Sequence, residues 1–316
     1  AYAVFGIRPS LYLVSPTTGT VGITVEVYGC GYAQGEGITI DFGNNKAVKT
    51  TITDEKGYFT ASFEVDTQGY GKTTITAKGV MNAENTFSIK QDIASVMPNK
   101  GTVGTMVSIT GTGYAASSSI TVMFGTNISI QQAVSDEKGY FETLFTVDTQ
   151  CYGTVTITTA GVANVRNTFF IIPEVYLVSP TTGTVGSIVE IRGTGYKQND
   201  SVIINFGTTS SIQTKLADVK GWFKTTFTVD TQVYGLTTIR AMGIDTAENR
   251  FFVEPAVYSV NPVSGSVGTT VTIKGTGYMA LDTLTVMFGN NSNIKMDAAR
   301  VDGSFETTFV VDTQAV

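Results

Sequence analysis

The sequence predicts an all-β fold: small antiparallel β-sandwiches in tandem, seven strands each, strung into an elongated rod. Three observations predict it. The prolines Pro16, Pro98, Pro180 and Pro262 and the tyrosines Tyr32, Tyr114, Tyr196 and Tyr278 both step by 82 residues, without insertion or deletion. A period of that size marks an array of small domains. Charged residues are only 15% of the chain and there are 34 glycines, a composition for strands and turns rather than helices. Apolar residues alternate with polar ones almost throughout, with little sign of a 3.6-residue period.

The period places repeat 1 at residues 9–90, repeat 2 at 91–172, repeat 3 at 173–254 and repeat 4 at 255–316. Residues 1–8 align with 83–90, 165–172 and 247–254, which makes them the last strand of a preceding or partner unit. Repeat 4, counted the same way, stops short of its last two strands. No Gly/Ser-rich or Pro-rich linker separates the repeats, so each module is expected to follow the last stiffly. Strands of ~3.3 Å per residue plus end loops give roughly 35–45 Å per module.

Repeat 3 shows the elements most clearly. Residues 174–178 form a first strand between Pro173 and Pro180. Thr181-Thr-Gly183-Thr-Val-Gly186 is a turn-rich crossing. In the second strand, 188–192, Val189 and Ile191 alternate with Glu190 and Arg192, one face apolar and the other wet. Gly193-Thr-Gly195-Tyr196 breaks it. Val202, Ile204 and Phe206 face inward from the third strand, and 210–216 is a more polar edge strand. Asp218-Val-Lys-Gly221 makes a tight turn into a fifth strand with Phe223, Phe227 and Val229 inside. Residues 235–241 and 249–253 are the sixth and seventh strands. Seven short strands with turns every 8–12 residues fit a two-sheet sandwich.

The motif Pro-x-x-Gly-x-x-Gly-x-x-Val-x-Ile-x-Gly-x-Gly-Tyr, followed by a strand ending in Phe-Gly, resembles the front half of the IPT/TIG immunoglobulin-like domain. The back half, Asp-x-x-Gly-x-Phe…Val-Asp-Thr-Gln…Gly-x-x-Thr-Ile-x-Ala, resembles tandem immunoglobulin-like modules of prokaryotic surface and secreted proteins. The resemblance covers every repeat. It implies an immunoglobulin-like sandwich and an extracellular or cell-surface location; its motifs are structural and name no ligand.

The net charge is −6 and no basic cluster occurs, so nucleic-acid binding lacks its electrostatic footprint. No apolar run reaches the ~18–20 residues of a membrane span. There is no histidine, which removes the commonest general base and metal ligand. The acidic residues fall in turns and on outward strand positions. The expectation is therefore no enzyme, no catalytic residue, no cofactor and no metal site.

Several positions are candidates for a site. Asp66, Asp148, Asp230 and Asp312 each precede Thr-Gln at a strand end. They read as turn caps or as ligands of a Ca²⁺ between modules, with no second acidic residue recurring nearby to complete an oxygen shell. Cys30 and Cys151 occupy different places in the repeat, so no bridge within one unit is expected; unpaired thiols or an intermolecular bond are the readings. Asn127, Asn199 and Asn290 match the glycosylation pattern and read as turn residues. Tyr58, Tyr140 and Trp222 share one outward position, read as cross-strand packing or as a sugar platform. Lysines do not recur at an apolar strand position, which argues against self-generated cross-links.

The function expected is structural: an extracellular repeat protein building a surface layer, stalk, sheath or filament with other copies of itself. The ends fit a slice of a longer tandem protein; the other reading is that residues 1–8 of one copy fill the empty strand slot of repeat 4 in another. The alternative is an adhesin that binds a glycan or surface protein through its loops.

Overall fold

The computed structural model describes residues 5–313. Within that range the chain is entirely β-structure and turns. It divides into two compact units, residues 1–147 with 154–170, and residues 148–153 with 171–316.

Repeat 1, in the first unit, shows the architecture. Its strands are β1 (Ser10–Ser15), β2 (Thr18–Gly19), β3 (Thr24–Cys30), β4 (Gly37–Phe42), β5 (Asn45–Ile52), β6 (Phe59–Glu64), β7 (Gly71–Lys78) and β8 (Asn82–Ile89). One sheet has the order β1-β3-β6 and the other β2-β8-β7-β4-β5. The alternation read in the sequence decides which side chains meet between the sheets. Val25, Val27, Ile38, Ile40, Phe42, Ile75, Phe87 and Ile89 are all sealed, and the two sheets share one core. The polar strand β5 lies at a sheet edge, as its composition predicts.

Repeats 2 and 3 repeat this order strand for strand. Each therefore has eight strands rather than the seven expected. The extra one is Thr18–Gly19, with Lys100–Gly101 and Thr182–Gly183 as its counterparts, in what reads as a turn-rich crossing. Its two residues are too few to show a period. It pairs parallel to the last strand, Thr18 opposite Ser88 and Thr182 opposite Phe252, so the sheets are not purely antiparallel. The chain changes sheets here, just after a cis peptide at Ser15–Pro16, Met97–Pro98 and Ser179–Pro180.

The two glycine motifs are halves of one corner. In repeat 3, in the second unit, the ring of Phe223 lies over Gly193, where a Cβ would collide with it. Gly221, at φ +73°, abuts the Tyr196 carbonyl oxygen, and a Cβ would strike that oxygen. Gly193-x-Gly-Tyr and Asp218-x-x-Gly-x-Phe therefore require each other. The tyrosine is a core residue. The Tyr196 hydroxyl donates to the Ala241 carbonyl at 3.1 Å and Tyr32 does the same to Ala77 at 3.2 Å, pinning the corner to the opposite sheet. Burial raises the pKa of both phenols, that of Tyr32 to about 12.

Repeat 4 is the exception. Its described strands are Ala256–Asn261, Thr270–Thr276, Thr283–Phe288, Asn291–Ala298 and Phe305–Val310. The second sheet has two strands, so Leu284, Val286 and Phe288 are only half-buried where their counterparts in repeats 1–3 are sealed. Residues 1–4, half of the stretch expected to form a donated strand, lie outside the described residues; residues 5–8 form no strand here.

Candidate functional site

The recurring Asp-Thr-Gln is the most site-like motif of the sequence, and its chemistry is internal. Gln68 Nε2 donates to the Phe42 carbonyl at 2.9 Å and to Asp66 Oδ1 at 2.7 Å. In repeat 3, Gln232 Nε2 donates to Asp230 Oδ1 at 3.0 Å and to the Phe206 carbonyl at 3.4 Å, and Thr209 donates its hydroxyl to the other Asp230 oxygen. Gln150 donates to Asp148 at 2.9 Å, and Asn291 to Asp312 at 2.8 Å. The carboxylate orients the amide, and in repeats 1 and 3 the amide closes the end of the strand that finishes in Phe-Gly. The glycine after that phenylalanine leaves room: a Cβ at Gly43 would collide with Gln68. Sequence reasoning found the aspartate but missed the glutamine, whose partner is 26 residues away. No group of three or more His, Cys, Asp or Glu side chains that could hold a metal ion occurs among the described residues.

A second carboxylate has no counterpart in the sequence reading. Asp41 is 3% exposed and faces Lys78 at 2.6 Å and Lys46 at 3.5 Å. Its other oxygen accepts the Ala47 backbone N–H at 2.9 Å. Burial alone would raise its pKa; the Lys78 ammonium, the Ala47 amide and Lys46 outweigh burial and hold it below the ordinary carboxylate value. Ala47 has φ +56°, and Asn205 caps Ser211 (φ +54°) in the same way in repeat 3. The buried acid is thus a hairpin cap.

The remaining candidates have local partners. Trp222 donates its indole N–H to the Tyr176 hydroxyl at 3.0 Å, beside a cluster of Glu190 with Arg192 (2.7 Å) and Lys224 (2.8 Å). Tyr140 donates to Glu142 at 3.3 Å, while Tyr58 is half-exposed. Cys30 and Cys151 are both free thiols; burial raises the pKa of Cys151, whose Sγ lies 3.2 Å from the Val219 carbonyl. Asn199 sits in a turn at φ +58°, as expected; Asn127 instead opens the strand Asn127–Val134, its side chain accepting the Ser129 N–H at 3.1 Å.

Two concave features remain. In the first unit, Tyr70, Lys90, Gln91, Ala163, Asn164 and Arg166 line a cavity of about 540 Å³ where repeat 1 meets repeat 2. In repeat 4, Val271, Ile273, Leu284, Val286, Phe288 and Phe309 line an apolar groove of about 740 Å³.

No family model matches the chain, and no curated protein matches it. Solved structures of low similarity do. The bacterial integrin-binding protein invasin matches at TM-score 0.26 and 14% identity, over 97% of this chain and 79% of that one. A Ca²⁺-stabilized adhesin with which an Antarctic bacterium binds ice matches at TM-score 0.22 and 13% identity, over 97% and 91%. Latent PorU of Porphyromonas gingivalis matches at TM-score 0.24 and 11% identity, over 78% of this chain, which spans only 34% of PorU. Likeness at this level assigns no function to this chain. The immunoglobulin-like sandwich stands on the strand order and the shared core described above.

Proposed function

We propose that this is a non-enzymatic, extracellular repeat protein of the IPT/TIG type whose task is structural: to build a surface layer, stalk, sheath or filament with copies of itself. One observation carries the reading. The same backbone joint recurs between successive repeats within each unit, and the polar Asp-Thr-Gln motif is hydrogen-bonded within its own module in repeats 1 to 3. In the first unit the Tyr70 N–H donates to the Tyr114 carbonyl at 2.9 Å; in the second the Tyr234 N–H donates to the Tyr278 carbonyl at 3.1 Å. A joint made of backbone atoms does not depend on side-chain identity. Within each unit, successive modules can therefore meet in one way, which is what a regular array requires.

Sedimentation tests the proposal: the chain should self-associate with rising concentration, and a concentration-independent monomer defeats it.

The second reading, an adhesin that binds a glycan, is favoured by the charged cavity in the first unit.

A further inference from the structure

The cavity between repeats 1 and 2 sits where repeat 2 departs from the rule of the array. In repeats 1 and 3 the turn before the last strand is held by a carboxylate: Glu36 accepts the Val80 N–H, and Asp200 accepts the Ile244 N–H at 2.8 Å. Repeat 2 has Ser118 at that position. The turn is held instead by a neutral amide, the Ala163 N–H donating to Gln91 Oε1 at 2.6 Å. Gln91 itself stands where the other repeats have Pro9, Pro173 and Pro255. It is 7% exposed, and its Nε2 has no hydrogen-bond partner. An amide placed in a buried proline position, with half of its polar capacity unmet, is costly for packing alone.

The charge changes in the same sense. Arg166 replaces the glutamates found at Glu84 and Glu248. Two acidic positions of the repeat thus become one neutral and one cationic, and Lys90 adds a second cation to the rim. Neither Lys90 nor Arg166 forms an ion pair with any described residue. Asp92, next to Gln91 in sequence, is the nearest acid along the chain, and it does not line the cavity. Tyr70 contributes a ring that is 43% exposed, and Asn164 an exposed amide.

We infer that this cavity binds an anionic saccharide, a sugar unit bearing a carboxylate or a sulfate. The two cations suit the anion, since Arg gives bidentate hydrogen bonds to such groups. A half-exposed tyrosine beside an amide suits the apolar face and hydroxyls of a sugar ring. The volume lies within the roughly 300–1,000 Å³ of small-ligand sites. The net charge of −6 makes a local cationic cavity a selective feature rather than a general one. This inference rests on the adhesin reading and is independent of the structural one.

The test titrates the full chain with polygalacturonate, dextran sulfate, neutral dextran and polyglutamate. Binding to polygalacturonate or dextran sulfate, but not to dextran, is expected, and which of the two binds tells carboxylate from sulfate. Arg166→Glu restores the residue of the neighbouring repeats, so the fold is kept; it and Lys90→Glu should each weaken binding at least tenfold. Lys56→Glu, the same charge change on a distant exposed turn, should alter it less than twofold. Equal losses in all three variants, or binding to polyglutamate alone, would overturn the inference. Binding to dextran alone, unchanged by Arg166→Glu, would overturn it while leaving the adhesin reading intact. Binding to no saccharide would end both.

Discussion

Gln68→Ala tests whether Asp-Thr-Gln is a strand-end clamp or a metal site. The substitution removes two hydrogen bonds, to the Phe42 carbonyl at 2.9 Å and to Asp66 Oδ1 at 2.7 Å. Asp66 Oδ2 is buried without a hydrogen-bond partner already, so losing the bond to Oδ1 would leave neither carboxylate oxygen supported by Gln68. An unpaired carbonyl beside sealed Phe42 costs about 1–3 kcal/mol, and a bond to a charged group contributes about 1.5–3 kcal/mol. Because the two groups share one partner and Asp66 is only partly buried, the combined loss is about 2–4 kcal/mol. Amide hydrogen exchange reads it locally, where a single unfolding free energy is poorly defined for a multi-domain chain. The Gly43 N–H, which donates to the Thr74 carbonyl at 2.8 Å, should exchange about 30- to 1,000-fold faster. Matching amides of repeat 3 should not change. A change below threefold would refute the clamp, and so would a wild-type chain that loses thermal stability on chelation.

Two further perturbations follow from the same geometry. Gly221→Ala places a Cβ against the Tyr196 carbonyl at φ +73°; the left-handed backbone alone costs about 1–2 kcal/mol. Thermal melting should show the loss, and an unchanged melt would mean that the corner relaxes freely. Asp41 gives a pH signature. Its folded pKa lies below the ordinary 3.8, so its contribution is full above that value and is lost as pH falls through the folded pKa. Asp41→Asn should therefore be less stable at neutral pH, with the gap to the wild type closing below about pH 4; a gap independent of pH would contradict the ion pair with Lys78.

Much of this fold is legible in the sequence because burial imposes alternation. Val189, Ile191, Val202, Ile204 and Phe206 are read as inward and are sealed. What escapes reading is short or made through space. Thr18–Gly19 pairs over two residues, too few for a pattern. Gln68 acts on a carbonyl 26 positions earlier. The exchange of a carboxylate at 36 and 200 for Ser118 with Gln91 is visible only when the repeats are laid in register and their differences, not their likenesses, are read.

The central claim is that repeated modules, joined within each unit through the same backbone contact, serve to build a regular assembly. Electron microscopy of the protein as isolated from its source tests it most directly. A periodic layer, sheath or filament, its repeat a multiple of the module spacing, is the predicted result. Dispersed single chains without order, under conditions where the joints are intact, would contradict it.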